Sequence, residues 1–157
     1  MERKYYEAYD DRYQQIHAMG LQWAASIPSP IVAQVLSDYQ ISKKQKLLEL
    51  GCGEGRDAAC LLRQGYDLLA TDISPEAVSY CQKLLPEYKE RFQQLDCVAG
   101  ALNGKFDFIY AIAVLHMLVE DADRDGFFRF IREHLMPGGY GLICTMGDGS
   151  FQRSSDV

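Results

Sequence analysis

Leu47-Leu48-Glu49-Leu50-Gly51-Cys52-Gly53-Glu54-Gly55-Arg56 is the stretch that decides the fold. An apolar run delivers one carboxylate and then three glycines in five residues, and a helical pattern from Asp57 to Gln64 follows at once. The run has the unbroken hydrophobicity of a parallel strand buried on both faces. Strand, glycine turn and helix in that order are the context in which a glycine loop holds a nucleotide-like cofactor. Further on, Leu68-Leu69-Ala70-Thr71-Asp72 is a second apolar strand closed by a carboxylate. It ends about 20 residues past the first glycine, where doubly wound folds keep the acid that bonds ribose hydroxyls.

The spacing separates the candidate cofactors. A dinucleotide fingerprint needs G-x-G-x-x-G, but here the third glycine arrives one residue early, at Gly55, and Arg56 stands where a glycine is required. A dinucleotide also sets its pyrophosphate on the positive end of the helix, where Glu49 or Glu54 would oppose it. S-adenosylmethionine has an adenosine, a sulfonium and an ammonium but no phosphate, so an acidic strand end and an acidic loop suit it. The glycines alone are compatible with a tight turn, yet three of them directly after a strand favour close approach of the backbone to a ligand.

Outward from this motif the elements alternate. Glu2 to Met19 is amphipathic, with Tyr5, Tyr6, Tyr9, Tyr13 and Ile16 near helical spacing, and Pro28-Ser29-Pro30 starts a second helix to about Asp38, so residues 1–40 form a helical cap. Strands are expected at Lys46–Leu50, Asp67–Ile73, Arg91–Cys97, Phe106–Ile112 and Tyr140–Met146, with helices after Gly55, Pro75 and Asp121 and a short one after Val98. Right-handed crossovers then give an α/β, Rossmann-like, doubly wound and mostly parallel sheet of order 3-2-1-4-5. The whole chain reads as one domain, with a cofactor-binding core at 46–146 and a polar tail at 147–157.

Composition narrows the class. With 157 residues, 48% hydrophobic and 24% charged, the chain can bury a sizeable core and has the balance of an ordinary globular protein. No apolar signal core follows Met1 and no run approaches transmembrane length, so a cytoplasmic location without a membrane partner is expected. Cys52, Cys60, Cys81, Cys97 and Cys144 lack C-x-x-C spacing and read as free thiols, not as disulfides or a metal site. A net charge of −6, with its basic residues scattered among acids, argues against a nucleic-acid partner.

Through Glu49-Leu-Gly-Cys-Gly-Glu-Gly55, Asp72, Asp96, Phe106-Asp-Phe-Ile-Tyr110 and Leu135-Met-Pro-Gly-Gly139, the chain resembles the class I S-adenosylmethionine-dependent methyltransferases over roughly Lys46 to Met146. Gly53-Glu-Gly-Arg-Asp57 is similar to the loop of their tellurite-resistance and thiopurine-type small-molecule branch. The resemblance implies methyl transfer from S-adenosylmethionine to a small-molecule acceptor, releasing S-adenosylhomocysteine. It implies that Glu49 lies near the methionine amino group, Asp72 at the ribose, Ile73 against the adenine, and Asp96 with Cys97 at the adenine amino group. Gly51, Cys52, Gly53, Gly55 and Ala111 complete the cofactor set. No Asn/Asp-Pro-Pro-Tyr/Phe motif and no Pro-Cys pair occurs, so the DNA-methylating branches are not resembled.

The residues themselves leave other roles open. Asp72 could cap the helix at Ser74-Pro75, but Ser74 is the better cap, which frees Asp72 for ribose. Glu49, between Leu48 and Leu50, is costly as an unpaired charge. Asp96 could equally cap the turn that follows it. Methyl transfer is an in-line displacement that needs mainly alignment. His116, just past the fourth strand at the ligand-binding edge of the sheet, suits a general base, and equally suits bonding a loop backbone. Arg56 either meets an anionic group or, as the safer reading, pairs with Glu54 or Asp57. Tyr5, Tyr9, Tyr13 and Trp23 form either an aromatic lid over a sulfonium or a packing face. Class I relatives continue past the fifth strand with two further strands, so Leu142-Ile143-Cys144 would lie on a bare sheet edge that a second copy could cover. A non-catalytic S-adenosylmethionine-binding module, a fragment of a longer methyltransferase and, behind them, an NAD-dependent oxidoreductase are the competing readings.

Overall fold

Leu47 and Leu48 are both fully buried, on opposite faces of one strand, which is why the run around them shows no polar alternation. In the computed structural model, which describes residues 3–24 and 26–146, this strand, β1 (Lys46–Leu50), is the centre of a five-stranded sheet. β2 (Asp67–Asp72) and then β3 (Phe92–Gln94) lie on one side of it, and β4 (Phe106–Ile112) and then β5 (Leu135–Cys144) on the other. Every pair is parallel, and the order is the expected 3-2-1-4-5. The start of the first helix at Glu2 and the polar tail at 147–157 lie outside the described residues.

Helices α2 (Pro30–Asp38), α3 (Arg56–Arg63) and α4 (Pro75–Leu84) cover one face, burying Leu36, Leu61, Leu62 and Val78 against Leu47, Leu68 and Phe108. α5 (Asp121–His134) covers the other through Phe127, Phe130 and Ile131, packed on Leu48, Leu50 and Ile109. α1 (Tyr9–Ala18) follows a 3-10 turn at Tyr5–Ala8 and is tied to the start of α4, where Asp10 accepts from the Ser74 hydroxyl (2.6 Å) and the Glu76 amide (3.0 Å). No helix among the described residues is long and apolar enough to cross a membrane.

Three expected boundaries move. β3 stops at Gln94 instead of Cys97, because the Asp96 side chain accepts from the Val98 amide (2.8 Å) and turns the chain out of the sheet. The helix expected after Val98 is a turn, with the Gly100 amide on the Asp96 carbonyl (2.8 Å). β5 begins at Leu135, not Tyr140: Leu135 pairs with Phe106, the chain bulges through residues 136–139, and Tyr140 resumes pairing opposite Phe108. A Cβ on Gly139 would sit 2.8 Å from the Asp107 carbonyl oxygen, so the bulge needs glycine there. β5 is the edge of the sheet, as the sequence suggested for Leu142.

Candidate active site

The loop after β1 is shaped by what surrounds it. Gly51 has a φ of +73°, and a Cβ there would lie 2.4 Å from Val114 Cγ2, on the segment leaving β4. Gly53, at +53°, would put its Cβ 2.8 Å from the Tyr13 hydroxyl on α1. The space these glycines leave is taken by the protein's own side chains, a role beyond the ligand approach that their spacing suggests. The loop is pinned to β2: the Cys52 amide donates to the Thr71 carbonyl (2.8 Å) and the Gly53 amide to Asp72 Oδ2 (2.8 Å).

Beside this loop, at the C-terminal ends of β1, β2 and β4, is a cavity of about 490 Å³. Glu49, Gly51, Cys52, Gly53, Asp72, Ile73, Asp96, Cys97 and His116 line it, all as selected from sequence. Gly55 and Ala111 do not. Gly55 faces Cys81, and Ala111 is buried in the core that α5 covers, while Ile112 and Ala113, one and two residues on, reach the cavity. Tyr9, Tyr13 and Trp23 line its rim, but Tyr5 is 49% exposed and Tyr6 lines the cavity in its place. The 3-10 turn at Tyr5–Ala8 rotates the aromatic stripe relative to a continuous α-helix.

The acids of the site fall into two groups. Glu49, 2% exposed, accepts from the Tyr110 hydroxyl (2.9 Å), and burial, reinforced by Asp57, pushes its pKa up to about 8. Asp72 is also raised by burial, opposed by bonds from the Ser74 (2.9 Å) and Gly53 amides. Ser74, not Asp72, caps α4 by accepting from the Ala77 amide (3.0 Å). Asp96 does cap its turn through Oδ1, yet still lines the cavity. Burial pushes the Cys97 thiol up to about 12.

Glu54 and Asp57 are bound to the protein itself. Glu54 accepts from the Trp23 (2.8 Å) and Ala24 (2.7 Å) amides and meets His17 Nε2 at 2.9 Å. Asp57 accepts from the Ser29 amide and hydroxyl and from Arg56 Nη2 at 3.3 Å, so the expected Arg56–Asp57 pair is present. Arg56 Nε is buried without a partner among the described residues, and the side chain lines the cavity. His17, which no sequence motif marks, contacts Glu76 through Nδ1 (2.8 Å) and Glu54 through Nε2. Carboxylates on both nitrogens require the imidazolium form; burial opposes the charge, but Glu76 and Glu54 prevail and raise the pKa. His116 is exposed at the cavity mouth, its Nδ1 3.4 Å from the Thr145 hydroxyl.

A methyltransferase-domain family model matches residues 48–140, from β1 into β5. The chain belongs to this family. Hemagglutinin 1 of Eikenella corrodens is 35% identical over 105 residues, covering 66% of this methyltransferase domain and 35% of that protein. A probable S-adenosyl-L-methionine-dependent methyltransferase, TehB of Haemophilus influenzae, is 29% identical over 121 residues, covering 73% and 41%. Among solved structures, the glycopeptide N-methyltransferase MtfA complexed with sinefungin superposes with a TM-score of 0.65 at 27% identity, covering 78% of the domain and 51% of that chain. The domain thus spans between about a third and a half of the length of these relatives.

Proposed function

We propose that this domain binds S-adenosylmethionine in the cavity at the ends of β1, β2 and β4 and catalyses transfer of its methyl group to a small-molecule acceptor, releasing S-adenosylhomocysteine. The observation that carries the reading is the pairing of two buried carboxylates, Glu49 and Asp72, from adjacent strands on one cavity beside a glycine loop. That donor set fits an ammonium and a ribose diol and offers little to a pyrophosphate. The names of TehB and of the MtfA complex point the same way.

Glu49 takes the amino group, Asp72 the ribose hydroxyls, Ile73 the adenine face, and Asp96 with Cys97 the adenine edge. Arg56 lines the same cavity, with its Nε unpartnered among the described residues, and would meet the carboxylate of the same amino acid. When bound, S-adenosylmethionine supplies a methyl group on a positively charged sulfur. Tyr6, Tyr9, Tyr13 and Trp23 line the cavity and would stabilise that charge through their aromatic rings. His116, exposed at the cavity, would take the proton that the acceptor loses as the methyl carbon passes to it and the carbon–sulfur bond breaks. The net charge of −6 suits a small acceptor better than nucleic acid. β5 is the outer strand of the sheet among the described residues, and pairing of a second copy along it is read by light scattering.

The test is calorimetric titration with S-adenosylmethionine, S-adenosylhomocysteine and NAD, repeated on Asp72→Ala with folding checked by circular dichroism. Micromolar binding of the first two, weakened at least roughly tenfold in the variant by loss of charged hydrogen bonds, is expected. Binding of NAD alone, or of none, refutes the assignment. Methyl transfer to a metabolite panel then separates an enzyme from a binding module.

A further inference from the structure

Tyr110 is fully buried in the core, yet its hydroxyl is spent on one group that faces the cavity. In the parallel register Tyr110 stands directly beside Glu49, and its hydroxyl donates to Glu49 Oε2 at 2.9 Å. Two like charges act on Glu49, Asp72 from β2 and Asp57 from α3, while the cation acting on it among the described residues, Arg56, already contacts Asp57 and Ser29. An empty site of this kind favours a proton on Glu49; an ammonium placed against it favours the anion.

We infer that Tyr110 is a positioning residue that aims Glu49 at the cavity, and that binding of the cofactor's ammonium group drives a proton from the Glu49 carboxyl into solvent. This rests on the cofactor assignment above. The step is Glu49–COOH going to Glu49–COO⁻ against the ammonium, with the proton passing to bulk buffer and no electrons transferred. Burial, then Asp57, lifts the Glu49 pKa to about 8, with the Tyr110 bond as the opposing influence. At pH 7 only a minority of sites is then ionised beforehand, which weakens apparent affinity. A ligand whose α-amine is deprotonated must take up a proton to bind as the ammonium, so net release falls as pH rises and passes through zero midway between the Glu49 and α-amine pKa values.

The experiment is titration of the full chain with S-adenosylhomocysteine in two buffers of different ionisation enthalpy, from pH 6 to 9. 5′-Methylthioadenosine, which lacks the amino-acid tail, should bind with no proton release. Glu49→Gln should abolish the release seen with S-adenosylhomocysteine and flatten its affinity between pH 6 and 7. Tyr110→Phe should move the zero crossing to higher pH and weaken S-adenosylhomocysteine several-fold at pH 7, while 5′-methylthioadenosine stays within about twofold. Binding of S-adenosylhomocysteine without proton release at pH 7 overturns the coupling even if Tyr110→Phe fails to fold. An unmoved crossing in a folded Tyr110→Phe overturns the positioning role. If neither ligand binds, the cofactor assignment falls and takes the coupling with it.

Discussion

Replacing Gly51 with alanine separates what the glycine loop does for the protein from what it does for a ligand. At a φ of +73° a Cβ costs about 1–2 kcal/mol in backbone strain. The added atom would lie 2.4 Å from Val114 Cγ2, with Val114 Cβ at 3.7 Å and Cγ1 at 3.8 Å close behind. Val114 cannot turn aside cheaply, because a β-branched side chain is stiff about χ1. Its predecessor Ala113 is already held at a φ of +61°. Overpacking of this kind adds roughly 1–3 kcal/mol. The variant should therefore lose ~2–5 kcal/mol, a large share of the ~5–15 kcal/mol by which such domains are folded. Val114→Ala removes the obstructing methyls at a cost of about 1 kcal/mol for a half-buried site. In the double variant only the backbone strain should remain from Gly51→Ala, so the two changes should couple by roughly 1–3 kcal/mol in the favourable direction. Urea unfolding followed by far-ultraviolet circular dichroism reads all four chains. Additivity within about 0.5 kcal/mol would refute the clash with Val114. A Gly51→Ala chain as stable as the parent but unable to bind S-adenosylhomocysteine would hand the glycine to the ligand instead.

Asp57→Ala leaves the Ser29 amide and Arg56 without their carboxylate, and should cost ~2–4 kcal/mol in the same urea assay; a loss under about 1 kcal/mol would mean that water replaces it. His17 has a folded-state pKa above its ordinary value of about 6.5, because Glu76 and Glu54 outweigh the opposing effect of burial. Its stabilising contribution is therefore complete below about pH 6.5 and lost as pH rises through the higher folded-state value. His17→Gln should accordingly destabilise more at pH 6 than at pH 9, and equal losses at the two would show that the imidazolium is not what holds α1.

The sheet was legible because its evidence is local. A continuous apolar run, a glycine turn and a second run ending in Asp72 occupy consecutive stretches of chain, and right-handed crossovers leave only a handful of strand orders. The errors sit where a side chain overrides the pattern. Asp96 ends β3 by taking the Val98 amide, and the 3-10 turn exchanges Tyr6 for Tyr5 at the cavity. Ala111 has the right neighbours but the wrong face of its strand. His17 was invisible for a different reason: its partners, Glu54 and Glu76, are far away in sequence and meet only once α1 lies over the starts of α3 and α4.

The contact of His17 with Glu54 alters the charge that the loop presents to a cofactor. From sequence, Glu54 counts as an anion at the mouth of the loop that would repel a pyrophosphate. In the folded chain its charge is met by two backbone amides and the His17 imidazolium, so it repels little. Asp57 and Asp10 are likewise taken up by Ser29 and by the start of α4. Preference for a cationic ligand must then come from the acids left facing the cavity. Asp72 shares its charge with two amides, whereas Glu49 has a single neutral donor, the Tyr110 hydroxyl. A site that discriminates by charge should thus lose its discrimination chiefly at Glu49. Glu49→Gln is expected to weaken S-adenosylhomocysteine far more than 5′-methylthioadenosine, whereas Glu54→Gln should loosen α1 and weaken both ligands alike. Equal losses for the two ligands in Glu49→Gln would return the preference to the loop as a whole.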